Sequence, residues 1–330
     1  MRWGITLPLE GIPLSAHREV VRELEGLGYT DAWTAEVDGC DAFVPAATAL
    51  CWGEGLRVGT AIANVYARGP AILAQTAMAL SELAPGRFCL GIGASTQVIV
   101  ERWNGRRMER PLAYVRETIA FLRQVMAGER GSSELLGVQG FRLSRRLGPP
   151  PPILVAALRR GMLRLGGEMA DGVIINWLAP GDVPKVVGEA REGARRAGRD
   201  PQALEVVCRI FVMPPLPDAV LRAVGKRMAV VYLTSPVYAA FQEWLGRGER
   251  IRPVVEAWQA GERQAALELV PEELLEELLV FGSRQECLDK ILAYCRQGVT
   301  VPVLQLIAPG EDPAQRGQLA WRMLRELARP

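Results

Sequence analysis

The chain has 330 residues with 39 basic and 37 acidic side chains, a formal net charge of +2. That balance excludes a dedicated nucleic-acid binder, which needs a basic excess to meet phosphates. A hydrophobic share of 49% with 23% charged residues excludes general disorder and supplies a core for one large domain.

Short apolar runs alternate with helical patterns along most of the chain. The order opens with a strand around 3–7 and a helix in which Val20, Val21, Leu24 and Leu27 recur at helical spacing. A strand over 30–34 and a short helix over 43–50 follow. The next strand spans 56–62, and Pro70 opens a helix that buries Leu73, Thr76, Ala77 and Leu80. A fourth strand covers 88–92, before a loop and a helix over 111–127. Residues 131–152 interrupt the rhythm: 134–136 and 139–143 can pair as a small hairpin, closed by four prolines, Pro149 to Pro152. Alternation then resumes, with strands over 153–156, 172–175, 204–212 and 301–307. Helices cover 161–170, 183–197, 285–297 and 314–327, and helix-forming sequence fills 218–278.

Eight strands, each followed by helical sequence, imply parallel strands joined by right-handed crossovers. Eight such units close into a (β/α)8 TIM barrel, so the expected fold class is α/β, as a single barrel domain over 1–330. The length beyond about 250 residues falls into insertions at 131–152 and 218–278.

Residue types narrow the chemistry. The only histidine, His17, stands at the start of the first helix, where a solvated residue is expected. A Ser-His-Asp or Cys-His triad would need a histidine at the C-terminal end of a strand. Histidine-rich metal sites are excluded too, and no GxxxxGK[ST] loop is present. Six cysteines lie scattered without a CxxC pair, the pattern of reduced core thiols rather than of zinc or a disulfide scaffold. No metal is expected. No signal-peptide pattern follows Met1, and the longest nearly apolar run, 42–52, is too short to cross a bilayer and contains Pro45. The expected place is the cytoplasm, without membrane or nucleic-acid partners. Only Lys185, Lys226 and Lys290 are lysines; the arginine bias reads first as genomic composition, although guanidinium forks suit phosphates and carboxylates.

Barrel active sites gather at the C-terminal ends of the strands, and several residues fall there. Gly91-Ile92-Gly93-Ala94-Ser95 follows a strand, but Thr96 stands where a dinucleotide loop needs its third glycine. At a barrel rim the same glycines would let a flat ring approach the backbone, with a plain tight turn as the alternative. Leu158-Arg159-Arg160-Gly161 leads into a helix, whose free N–H groups and positive end attract an anion; the two arginines are otherwise solvated surface. Asn64, Tyr66, Asn176 and Trp177 point to the same rim.

Three stretches resemble a known family, the luciferase-like flavin and deazaflavin oxidoreductases, and in particular their F420-dependent branch. Residues 58–71, Val-Gly-Thr-Ala-Ile-Ala-Asn-Val-Tyr-Ala-Arg-Gly-Pro-Ala, resemble the third-strand segment of methylenetetrahydromethanopterin reductases. Residues 154–157 and 161–177, with Ala-Asp-Gly-Val-Ile-Ile-Asn at 170–176, resemble their fifth-to-sixth-strand unit. Residues 91–111, with Gln97, Val98, Glu101, Trp103, Gly105, Arg110 and Pro111, are similar to an actinobacterial F420-dependent group. The resemblance implies a non-prolyl cis peptide between Ala61 and Ile62 behind the cofactor ring. It also implies ring contacts near Glu36 and the 91–95 loop, and a phosphate held by Ala157, Leu158, Arg159, Arg160 and Gly161. Two departures stand out: Arg159-Arg160 replaces the usual Gly-Pro of the phosphate loop. Glu36-Val37 replaces a common Asp-His, so histidine-based oxidation of a sugar phosphate is not expected.

The implied activity is hydride transfer between coenzyme F420 and a small organic substrate, with a methylenetetrahydromethanopterin-reductase-like role as the most concrete case. FMN with O₂, in a monooxygenase, is the first alternative; a cofactor-binding barrel without catalysis is the second. Glu36 is the candidate for proton handling, with a structural hydrogen bond as its other role. Ala61, Ile62, Asn64, Gly91, Gly93, Ser95, the 157–161 run and Asn176 are the cofactor candidates, and Gln97, Glu101 and Trp177 the substrate candidates. The family also implies a homodimer or higher homo-oligomer.

Overall fold

A computed structural model describes residues 1–329. Its main sheet contains β1 (Gly4–Thr6), β2 (Asp31–Thr34), β3 (Arg57–Thr60), β4 (Ala63–Asn64) and β5 (Phe88–Gly93). A separate antiparallel hairpin joins β6 (Gly131–Ser133) to β7 (Val138–Phe141). β8 (Ile153–Ala156), β9 (Gly172–Asn176), β10 (Glu205–Val212) and β11 (Val301–Leu306) complete the main sheet. Strand order is β3-β2-β1-β11-β10-β9-β8-β5-β4, every pairing is parallel, and β3 also pairs with β5. The sheet therefore closes. β3 and β4 are two halves of one barrel position, so the barrel has the eight expected positions.

Helices wrap the outside: α1 (His17–Gly26), α2 (Phe43–Trp52), α3 (Pro70–Leu83), α4 (Pro111–Met126), α5 (Arg160–Met169) and α6 (Val183–Arg196). Between β10 and β11 come α7 (Asp218–Leu233), α8 (Pro236–Trp244), α9 (Gly248–Gln259), α10 (Arg263–Glu268), α11 (Glu272–Leu278) and α12 (Arg284–Arg296), and α13 (Pro313–Glu326) follows β11. Several starts are written locally. Proline occupies the first turn of α3, α4, α8 and α13. A reciprocal Ser283–Glu286 capping box opens α12.

The barrel interior is a packed core of Trp33, Ala61, Cys89, Leu154, Ile174, Val207, Val301 and Val303. Trp33 is the largest side chain in it, and Gly59 makes room for its ring: a Cβ there would lie 2.4 Å from the indole. Below this core, Arg57 donates to Asp31 at 2.7 Å and to both carboxylate oxygens of Glu205 at 2.6 and 2.9 Å. That cluster closes the N-terminal end of the barrel with paired charge. The open end lies opposite, at the C-terminal ends of the strands.

Three details depart from expectation. The strand expected over 56–62 breaks after Thr60, at the non-prolyl cis peptide between Ala61 and Ile62 that the resemblance implied. The hairpin's first strand lies at Gly131–Ser133, because 134–137 forms the turn, with Gly137 at φ 65° and its N–H donating to the Glu134 carbonyl. His17 is buried rather than solvated: its Nε2 accepts from the Leu9 amide at 2.8 Å, and its Nδ1 pairs with the Pro13 carbonyl at 3.0 Å.

The segment 218–278 folds as α7 to α11 and builds its own apolar cluster around Val224, Val230, Leu233, Val254, Leu274 and Leu279. Trp177 and Phe211, from the ends of β9 and β10, belong to that cluster. The insertion is thereby fastened to the open end of the barrel.

Candidate active site

A cavity of about 1020 Å³ occupies that open end, at the upper limit of the usual range for small-molecule and cofactor sites. Its walls come from the ends of six barrel positions: Glu36 after β2, Ala61 and Ile62 between β3 and β4, Ala94 and Ser95 after β5, Ala156 to Gly161 after β8, Asn176 of β9 and Arg209 of β10. Tyr232, Val237, Tyr238 and Trp244 of α7 and α8 add a side wall, and Ile99, Trp103, Met108 and Leu112 a second.

Small side chains shape the interior. Ala61, Ala94, Ala156 and Ala157 leave flat apolar space beside Ile62. Of the residues expected at the site, Glu36, Ala61, Ile62, Ser95, Ala157, Leu158, Arg159, Arg160, Gly161 and Asn176 all line this one cavity.

Others are placed elsewhere. Gly91 lies behind the wall: a Cβ on it would sit 1.9 Å from the Thr60 carbonyl oxygen and 2.5 Å from Ile174. The Thr60 hydroxyl donates to the Gly91 carbonyl at 2.7 Å and accepts from its N–H at 2.9 Å. The glycine thus admits a neighbouring strand rather than a ring. Gly93 similarly faces Ala156 and Ile62, two residues that do reach the cavity. Asn64 is buried and does not line it; its Oδ1 accepts from the Tyr66 amide at 2.9 Å and the Ala67 amide at 3.4 Å, closing the turn after β4. Gln97 and Glu101 are exposed and outside the lining, and Glu101 accepts from the Met108 amide at 3.2 Å. Trp177 faces away, packed 4.1 Å from Tyr232 and 5.1 Å from Phe211 between ring centroids.

Glu36 reaches the lining but is fully engaged. Arg68 Nε donates to its Oε1 at 2.7 Å, with Nη2 beside it, and the Asn64 amide donates to Oε2 at 2.9 Å. Its own N–H donates to the Ile62 carbonyl at 3.2 Å. The carboxylate is therefore held in an ion pair. The carboxylate ties the end of β2 to the segment carrying the cis peptide, a positioning arrangement.

At the start of α5, Arg159 stands at the N-cap position with extended backbone, φ −120° and ψ 166°. Arg160 Nε donates to Glu189 at 3.0 Å, and Arg164 donates to the other oxygen of that carboxylate at 2.7 Å. Arg159 is exposed at the mouth. Helix N–H groups and a guanidinium together suit a phosphate or carboxylate.

Sequence reading missed the contribution of α7 and α8 and the inward side chain of Arg209. Asn176 and Arg209 are register partners on β9 and β10. Tyr238 donates to Asn176 Oδ1 at 3.3 Å and accepts from its Nδ2 at 3.2 Å. Burial pushes the Tyr238 phenol well above its ordinary range, so it stays protonated as a donor. The one available signal was alternation: Glu205, Val207 and Arg209 share the inner face of β10.

A family profile described as luciferase-like monooxygenase matches residues 1–301. A Mycobacterium tuberculosis protein, provisionally assigned as a coenzyme F420-dependent oxidoreductase, is 28% identical over 338 residues, covering 92% of this chain and 94% of its own. The solved coenzyme F420-dependent tetrahydromethanopterin reductase of Methanopyrus kandleri superposes with a TM-score of 0.76 at 22% identity, covering 97% of each chain. The oxygenating constituent of 3,6-diketocamphane monooxygenase from Pseudomonas putida, in complex with FMN, gives 0.64 at 19%, covering 99% of this chain and 98% of its own. At those identities the two solved structures speak for the fold. With a closed parallel barrel, one cavity at its C-terminal mouth and a profile match across 301 residues, the chain belongs to the luciferase-like monooxygenase family and is an oxidoreductase of (β/α)8 architecture.

Proposed function

We propose that the chain binds coenzyme F420 and transfers a hydride between it and a small organic substrate. The observation that carries this reading is a single cavity that joins a flat apolar wall at Ala61 and Ile62 to an anion-suited helix start at Arg159 to Gly161. A planar ring with a phosphate-bearing tail has the matching chemistry, and the full-length mycobacterial relative carries the F420 assignment. When bound, the deazaflavin supplies a carbon centre that gives or takes a hydride.

The chain's own part is orientation and exclusion of water. Ala61, Ile62, Ala94 and Ala156 offer close, flat contact. The 157–161 run, with Arg159 and Arg160, would hold the phosphate. Tyr232, Val237 and Trp244 shield the cavity from one side, and Ile99, Trp103 and Leu112 from another. Asn176 and Tyr238 place donors beside the wall.

FMN is the second reading, favoured by the FMN-bound neighbour of the same fold. Fluorescence titration of the purified chain with each cofactor separates them. F420 should bind at least tenfold more tightly than FMN; tight FMN binding without F420 binding would overturn the proposal. Bound F420 that no donor or acceptor can reduce or oxidise would instead mark a non-catalytic carrier. A methylenetetrahydromethanopterin-type substrate is one case within the proposal.

We also read the chain as a cytoplasmic homodimer or higher oligomer. Its six cysteines are all unpaired, and no helix among the described residues is long and apolar enough to cross a membrane. Light scattering that returns the mass of one chain would count against the oligomer.

A further inference from the structure

Arg209 is a cation without an acidic partner at the base of the cavity. Arg57, Arg68 and Arg247 are also held largely inside, and each faces a carboxylate at 2.8 Å or closer. Arg209 meets only neutral groups: Nη1 donates to the Ala61 carbonyl at 3.3 Å, Nη2 donates to Gln305 Oε1 at 2.6 Å, and the guanidinium lies 5.9 Å from the Phe211 ring centroid. Its Nε is buried and has no partner among the described residues. Beneath lies the apolar barrel core of Trp33, Leu154, Ile174, Val207 and Val303.

A guanidinium over such a core is disfavoured unless an opposite charge meets it. The contacts of Arg209 are with the chain's own wall: the Ala61 carbonyl belongs to the cis peptide, Gln305 is one strand away on β11, and Phe211 follows on β10. Arg209 itself lines the cavity. Tyr238 and Asn176 stand on the adjoining strand and helix and exchange hydrogen bonds longer than 3.1 Å, which either can give up to a ligand.

We propose that Arg209 receives a carboxylate of the substrate, so that the substrate class is a small acid with an apolar body. The carboxylate would meet the guanidinium from the cavity, with Tyr238 as a second donor, and the apolar body would lie against Ile174 and Tyr232, outside the wall left to the cofactor ring. The proposal deepens the hydride-transfer reading by naming the substrate class, and it leaves the reaction itself unaltered. Arg209 is a specificity-determining residue here. It is separate from Arg159 and Arg160, which sit at the mouth.

Calorimetry of the full-length chain with hexanoate and with hexanamide tests this, first as purified and then with F420 added. Hexanoate should bind at least tenfold more tightly than hexanamide. Arg209→Gln should abolish that preference, Arg209→Lys should keep part of it, and Arg159→Ser should leave it intact. Circular dichroism and melting of each variant identify any that fails to fold, in which case the lysine variant carries the comparison. Equal binding of the two probes by the unaltered chain would overturn the proposal, as would a preference that survives Arg209→Gln. Loss of the preference in Arg159→Ser alone would do the same. If Arg209→Gln changes F420 affinity and leaves the hexanoate preference untouched, the charge serves the cofactor and the substrate assignment fails. Because the probes bind without F420, failure of F420 binding and failure of the Arg209 assignment are read from different titrations.

Discussion

Glu36 shows how one contact changes a residue's meaning. As a carboxyl at the rim of a barrel it is a natural proton carrier. Against Arg68 and the Asn64 amide it holds the β2 end to the Ala61–Ile62 segment. Glu36→Gln should therefore weaken F420 binding five- to tenfold, about 1 kcal/mol, while the pH profile of kcat keeps both limbs. Disappearance of one limb, with affinity unchanged, would restore the proton-handling role. The partner could not be read in advance, because Arg68 lies 32 positions along the chain. Gly91 is a similar case: its lack of a side chain was legible, but the atom it admits, the Thr60 carbonyl, comes from another strand.

Among the elements, α5 was the most legible. Strand, Arg159-Arg160-Gly161 and helix follow in order, and a helix start at a barrel's C-terminal face is an anion site by its dipole and free N–H groups. Arg159 projects from that start without the carboxylate clamp that Glu189 applies to Arg160. Arg159→Ser should weaken F420 binding three- to tenfold at low salt, and the difference should shrink as ionic strength rises. A salt-independent loss would point to altered loop shape instead of lost charge. The insertion was less legible. Its helical composition was plain over 218–278, but its position was not. Trp177, at φ 55°, packs on Tyr232, and its carbonyl accepts from Gln242 at 2.6 Å. Arg247 adds contacts to Asp182 at 2.8 Å and Glu277 at 2.7 Å. These contacts set α7 and α8 beside the cavity, and none has a local sequence signature.

Across the whole molecule, the single histidine makes stability depend on pH. Burial holds His17 below its ordinary value near 6.5, outweighing its bond to the Pro13 carbonyl. Between its folded and unfolded values the unfolded chain binds the extra proton, so stability falls as pH drops below about 6.5 and is fully present above it. The urea midpoint should accordingly decrease from pH 7.5 to 5.5. His17→Gln should flatten that slope, because glutamine can accept from the Leu9 amide without titrating. An equally steep slope in the variant would assign the effect to other groups.

The barrel was determined by the sequence itself. Alternating apolar strands and amphipathic helices have periods of about 2 and 3.6 residues, and parallel strands with right-handed crossovers leave few other ways to bury eight such units. The helix starts at Pro70, Pro111, Ser283 and Pro313 are local as well, since capping and first-turn chemistry act over a few residues. Only the tertiary structure decided which rim residues share the cavity. It turned Trp177 and Asn64 away, placed Gly91 behind the wall, paired Glu36 with Arg68 and left Arg209 facing inward. The reason is physical: periodicity reports which face of an element is buried, whereas charge pairing and close approach depend on atoms that closure of the barrel brings together from distant strands.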